Sequence, residues 1–257
     1  MKDETITLLF SGGADSTLSA ALLAKRYRRV ELVTFKHYAT WGVGSSSRSE
    51  SKLKAAFPET EFPHVYLNST ALFLTLQRRI FADIATNPFL NHYFCGACKL
   101  AMHSALIAHN RKNGIRHAAS GASRLMPQFP DQTPGGGVAL QELYGRYGMT
   151  YETPVYDLAD VDMTAAAMGL LDSSHLKARH KTELNKPSDL RVPLRNAFDN
   201  IQGFCFLIAF VDPYLRHAAR EYSHADISDL TLAYYRRCID ETCGPWIEAQ
   251  RREASPS

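Results

Sequence analysis

The chain has 257 residues, 45% of them apolar and 21% charged, with a formal net charge of +3 at neutral pH. That balance suits one large globular domain, or a core domain with a helical appendage, and no apolar run approaches the ~18–20 residues that cross a membrane. The small net charge permits an anionic substrate but supplies no basic block of the kind a strong nucleic-acid binder carries. Met1-Lys2-Asp3-Glu4 shows no signal-peptide pattern, so the expectation is a cytoplasmic protein, in which five cysteines point to catalysis or a metal before disulfides.

Ile6-Thr7-Leu8-Leu9-Phe10 is short, rich in β-formers and predicts a buried strand. It runs straight into Ser11-Gly12-Gly13-Ala14-Asp15-Ser16-Thr17, after which Leu18, Leu22 and Leu23 with Ala20, Ala21 and Ala24 predict a helix. Strand, Gly-Gly turn and helix together offer an anion a cup of backbone N–H groups. Gly12 and Gly13 are expected to let the backbone approach closely and adopt positive φ. Ser16 and Thr17 can add hydroxyl donors. Asp15 repels phosphate on its own, and is read either as a cap on the helix or as a partner for Mg²⁺ carried by phosphates.

Residues 30–35 predict a second strand, close enough to the first for a parallel crossover. Ligands of such sheets bind at the carboxyl ends of strands, which places Thr34, Phe35 and Lys36 beside the phosphate loop. Residues 41–49 read as a Gly/Ser-rich loop, 49–57 as a helix, 64–67 as a third strand and 71–85 as a helix. Tyr93-Phe94-Cys95-Gly96-Ala97-Cys98-Lys99 follows, then a helix over 99–110 closed by Gly114, and a fourth strand over 116–120 that ends at Gly121. Cys95 and Cys98 therefore sit at a helix start, on the sheet edge that carries the phosphate loop. That position favours thiolate, and Lys99 adds positive charge.

Residues 120–137 read as one long loop with four glycines and three prolines, a length that is usually functional. It contains Gln128 and Asp131. A helix over 138–147, a last strand over 153–157 and helices over 161–171, 175–184, 198–210 and 227–239 complete the chain. The expected division is a nucleotide-binding domain over 1–185 and a C-terminal helical cap over 186–257.

The string Ser11 to Thr17 resembles the SGGxDS loop of the N-type ATP pyrophosphatases, the family of tRNA thiolases, 7-cyano-7-deazaguanine synthase, NAD synthetase and amidotransferase synthetase domains. It lacks the Gly-Lys-Ser/Thr ending of kinase-like P-loops. The resemblance implies an α/β fold with a parallel five-stranded sheet flanked by helices, like the adenine nucleotide alpha hydrolases, and a small C-terminal helical region. It implies ATP and Mg²⁺ as cofactors, with Ser11, Gly12, Gly13, Asp15, Ser16, Thr17, Phe35, Lys36 and Gly121 at the nucleotide and Mg²⁺ reaching Asp15 through ATP. The implied chemistry is adenylation of an oxygen, loss of pyrophosphate, and displacement of AMP by nitrogen or sulfur.

The order Cys-x-x-Cys-Lys, helix, strand, Gly resembles the sulfur-inserting branch of that family. The resemblance implies catalytic roles for Cys95, Cys98, Asp15 and Lys99. For the cysteine pair two roles stay open. It carries sulfur from a cysteine desulfurase, or it holds an iron–sulfur cluster or zinc with a third cysteine, since two alone cannot close such a site. Cys205, read as buried in an apolar helix, Cys238 and Cys243 are available. Residues 128–134 look like a weakened YPDCRP segment of the deazaguanine synthase, with Gln132 and Thr133 in place of Cys and Arg. This implies substrate contacts at Gln128 and Asp131. The leading expectation is ATP-dependent replacement of a carbonyl oxygen by sulfur on a small, purine-like heterocycle. The alternatives are an ammonia-using ligase and a tRNA thiolase. The expected partners are a small-molecule substrate in preference to nucleic acid, a cysteine desulfurase and a second copy in a homodimer, with no membrane.

Overall fold

The computed structural model describes residues 2–36, 40–41, 46–78, 80–83, 87, 89–124, 129–170, 204–205 and 222–253. Strand β1 (Lys2–Leu9) leads through α1 (Ala14–Ala24) to β2 (Tyr27–Lys36). The short β3 (Thr40–Trp41), α2 (Ser46–Ala56), β4 (His64–Asn68), α3 (Thr70–Gln77) and α4 (Ile80–Asp83) follow. A π-helical turn, His92–Gly96, opens directly into α5 (Ala97–Asn113), and β5 (His117–Ser120) comes next. A 3₁₀ turn (Pro130–Gln132), α6 (Pro134–Gly145), β6 (Thr150–Glu152) and α7 (Val161–Ala167) precede β7 (Phe204–Cys205). The last helices are α8 (His224–Cys238) and α9 (Gly244–Glu253), joined through a second π-helical turn, Ile239–Cys243.

Five strands form one parallel sheet in the order β4-β2-β1-β5-β6. The central strands carry unbroken buried runs, such as Ile6 to Leu8 and Val30 to Phe35, because helices cover both faces. On one face Ile6, Leu8, Val30 and Leu32 pack with Leu18, Leu23 and Leu53 of α1 and α2. On the other, Val33, Phe35, Ala118 and Tyr151 pack with α3, α5 and α6. Tyr234, Tyr235, Ile239 and Ile247 of the C-terminal helices enter that same core. Strand order reverses at β1, with β2 on one side and β5 on the other. The crevice beyond the carboxyl ends of β1 and β5 is thus the topological switch point, where parallel α/β sheets bind ligands.

Several elements differ from the expectations. The last strand of the five-stranded sheet lies at Thr150–Glu152, and 154–157 form a turn. Glycines 135–137 belong to α6, not to a loop. Thr133 caps that helix through Gly136 N, with Pro134 at its first position. The Gly135 backbone lies so close to α8 that a Cβ would stand 2.1 Å from Ser228 O. Residues 204–205 form a strand pairing antiparallel with Thr40–Trp41, so Cys205 is not in a helix. The rest of the helix expected over 198–210, the helix expected over 175–184 and residue Gln128 lie outside the described residues.

Candidate active site

The phosphate loop follows β1 at the switch point. Gly12 takes φ +78, a left-handed conformation open to glycine, whereas Gly13 is extended at φ −75 and forms the N-cap of α1. Only the first glycine therefore needs its backbone freedom. The N-cap, Gly13, has no side chain with which to cap α1, and Asp15 lies in the helix's first turn. Ser16 Oγ donates to Gly13 O at 3.1 Å and lies 3.2 Å from Ser11 Oγ, which accepts from Gly13 N at 3.3 Å. The Thr17 hydroxyl is buried without a partner and faces away from solvent. The start of α1, at the positive end of its dipole, is the loop's main attraction for an anion.

Two neighbours press on this loop. A Cβ on Gly12 would lie 2.6 Å from Ser46 Cα of α2, and Ser49 Oγ donates to Gly12 O at 2.8 Å. A Cβ on Gly121 would lie 2.7 Å from Ser16 N. The cup is thus walled by backbone that tolerates no side chain, which fits a phosphate chain held by N–H groups. Phe35 is buried in the core, and Lys36 is exposed with its ammonium 4.2 Å above the Tyr66 ring.

Gly121 also joins the loop to a second group of side chains. One residue before it, Ser120 Oγ lies 2.7 Å from Tyr151 OH, and both are buried. Lys99 Nζ stands 3.0 Å from Asp131 Oδ2. The carboxylate of Asp131 beside it raises the Lys99 ammonium above its usual range, against the opposing effect of burial, and Cys98 and Cys95 push in the same direction. The expected site residues Cys95, Cys98, Lys99 and Asp131 are therefore one cluster. Asp131 is 5% exposed, and its Oδ1 is buried with no hydrogen-bond partner. A buried carboxylate oxygen in that state awaits a donor.

Tyr235 belongs here as well, and nothing in its sequence surroundings marks it. Its hydroxyl is buried without a partner, and burial, with Asp131, Tyr234 and Cys95 nearby, pushes the phenol well above its usual range. It remains a donor at any physiological pH. Its ring also closes on the cysteine turn, since a Cβ on Gly96 would lie 3.4 Å from Tyr235 Cε1.

The turn that carries Cys95 is pinned by a buried histidine. Thr231 Oγ1 donates to Ile227 O at 2.6 Å and so accepts from His92 Nε2 at 2.9 Å, His92 Nδ1 accepts from Asn87 Nδ2 at 3.0 Å, and the ring stacks on Tyr234 at 5.1 Å. Burial lowers the His92 pKa to about 3, so the ring is neutral. Cys238 and Cys243 are buried in the core, and burial pushes the Cys243 thiol up to about 12. Among the described residues no group of three or more His, Cys, Asp and Glu side chains could hold a metal ion.

No family model matches the chain, and no curated protein matches it. Several solved structures overlap it loosely, two of them as follows. One is described as a predicted subunit of tRNA methyltransferase from Methanocaldococcus jannaschii, 18% identical, covering 63% of this chain and 74% of its own, with a TM-score of 0.42. The other is the U34-tRNA thiolase NcsA from Methanococcus maripaludis with its 4Fe–4S cluster, 13% identical, covering 94% of this chain and 74% of its own, with a TM-score of 0.42. Likenesses at that TM-score do not bear on activity.

Proposed function

We propose that this chain is an N-type ATP pyrophosphatase that adenylates a carbonyl oxygen of a small, purine-like heterocycle and replaces it with sulfur. The observation that carries the reading is the Gly121 contact. It presses the end of β5 onto the glycine-walled start of α1, while Ser120, one residue earlier, meets Tyr151, whose phenol feels the charge of Asp131 in the cluster with Lys99, Cys95 and Cys98.

In this reading the N–H groups at the start of α1 and the Gly12 turn hold the phosphates of ATP. Asp15 would hold Mg²⁺, which would neutralise charge on the phosphates. The substrate's carbonyl oxygen attacks the α-phosphorus, and pyrophosphate leaves with its charge stabilised by the loop. The unpaired Asp131 Oδ1 accepts from an N–H of the heterocycle. The terminal sulfur of a persulfide, formed on one of Cys95 and Cys98 by a cysteine desulfurase, then attacks the activated carbon, and AMP departs with the original oxygen. The second thiol attacks the sulfur of the first cysteine in the resulting enzyme–substrate disulfide, releasing the thiolated product and leaving a Cys95–Cys98 disulfide that an external thiol reduces. The Lys99 ammonium balances charge beside the thiolates, and it stays protonated because Asp131 is its partner. Persulfide relay needs these two thiols alone, whereas a cluster would need further ligands.

The test is mass spectrometry of the chain incubated with ATP, Mg²⁺, a persulfide donor and a panel of purine and deazapurine lactams. A thiolated product with AMP and pyrophosphate supports the reading. An aminated product in the presence of ammonium, with no thiolated one, replaces it with the ligase alternative. Turnover of tRNA alone replaces the small substrate with RNA.

A further inference from the structure

Ser49 and Glu50 are neighbours on α2, and each ties the helix down. Ser49 Oγ donates to Gly12 O of the phosphate loop at 2.8 Å, and Glu50 Oε2 lies 2.7 Å from His64 Nδ1. The other ring nitrogen, Nε2, lies 2.7 Å from Thr34 Oγ1, and Thr34 Oγ1 lies 2.6 Å from the carbonyl of Phe10, the residue just before the loop. The His64 side chain is only 7% exposed, stacked on Tyr66 at 4.6 Å and edge-on to Phe10 at 5.8 Å.

The protons along this chain can be counted. A carboxylate only accepts, so Nδ1 carries a hydrogen and donates it to Glu50. A carbonyl only accepts, so the single hydrogen of the Thr34 hydroxyl goes to Phe10 O. Thr34 Oγ1 must then accept from Nε2, and both ring nitrogens carry hydrogen. A neutral ring would leave one of these three short contacts without a hydrogen, with two acceptors facing each other out of water.

We propose that His64 is a positioning residue of the phosphate loop, an imidazolium that fixes Phe10 through Thr34 and fixes α2 through Glu50. Loss of its proton loosens the loop from both sides, so nucleotide binding is coupled to the protonation of a side chain that never touches the nucleotide. This rests on reading the loop as an ATP site. The groups packed around the ring are Glu50 and Lys54 of α2, Thr34 and Lys36 of β2, Tyr66 of β4, and Phe10. Burial alone would raise the Glu50 carboxyl, but hydrogen bonds from Lys54 and His64 leave it below its usual range, ionised opposite the imidazolium.

The experiment follows the His64 ring by NMR of the full chain, labelled with heavy nitrogen at histidine, over a pH series. ATP·Mg²⁺ affinity is measured by calorimetry in the same samples and in H64Q. The expected result is two protonated ring nitrogens at neutral pH. Across the pH range where the ring becomes neutral, ATP affinity falls about tenfold, the worth of one charge-assisted hydrogen bond, and H64Q lacks that fall. Should H64Q not fold, E50Q serves. Its ring loses the proton at lower pH, and the fall in affinity moves with it. A neutral ring at neutral pH overturns the proposal, as does an affinity that stays constant while the ring titrates. A chain that binds no ATP at any pH, with the ring still an imidazolium, overturns the ATP-site reading, and the coupling with it.

Discussion

Gly121 at the end of β5 and Ser16 in the first turn of α1 are pressed together, so that a Cβ on Gly121 would stand 2.7 Å from the Ser16 backbone nitrogen. The contact belongs to two adjacent parallel strands whose carboxyl ends meet at the switch point. It fixes the distance between the phosphate loop and everything that follows β5.

G121A should therefore displace the start of α1. Overpacking of this kind costs about 1–3 kcal/mol, and ATP affinity should fall with it, read by calorimetry. Gly137, on α6, is the control, because a Cβ there meets nothing within 4 Å. G137A should leave ATP binding unchanged and raise stability by about 0.5–1 kcal/mol, since alanine loses less entropy in a helix. Wild-type ATP affinity in G121A would sink the phosphate-loop assignment.

D15A should keep its fold, because Asp15 is only partly buried at the start of α1. It should lose pyrophosphate release by at least about a hundredfold, as expected when charge stabilisation of the leaving group is removed. A midpoint several degrees lower with turnover intact would make Asp15 a structural residue.

His92 and His103 give the fold an acid limit. Burial lowers both to about 3, with Lys99 adding to the effect at His103. Unfolded, each takes up a proton near 6.5. Their folded values are depressed, so the stability they contribute is complete above 6.5 and is lost as pH falls towards 3. Between those limits each adds a slope of about 1.4 kcal/mol per pH unit. Urea titrations should show H103Q with a shallower acid slope than the wild type, and an unchanged slope would mean that His103 is protonated in the fold.

C98S separates the two half-reactions. Adenylation needs the phosphate loop, whereas sulfur delivery needs the thiols beside Lys99. The variant should release pyrophosphate on addition of substrate and yield no thiolated product. Full product formation would end sulfur relay through this pair and favour ammonia chemistry.

The strand–loop–helix unit was legible in the sequence because apolar runs flank a Gly-Gly turn, and Gly114, at φ +68 after α5, closes its helix as its place predicts. The cysteine pair and Lys99 were legible for the same local reason. The glycines of α6 misled, because three in a row read as a loop unless the crossing at Ser228 is known. Tyr235 was invisible, since it reaches the cluster from a helix more than a hundred residues downstream of Asp131. The His64 relay was equally hidden. Thr34, His64 and Glu50 lie on three different elements, and only the sheet brings them into line.

The most direct test of adenylation follows the oxygen. Purine and deazapurine lactams labelled with heavy oxygen at the carbonyl are incubated with the wild-type chain, ATP, Mg²⁺ and a persulfide donor, and the nucleotides are analysed by mass spectrometry. The predicted result is AMP that carries the label, beside a thiolated product that has lost it. Unlabelled AMP, or ADP with inorganic phosphate in its place, would contradict adenylation of the carbonyl oxygen.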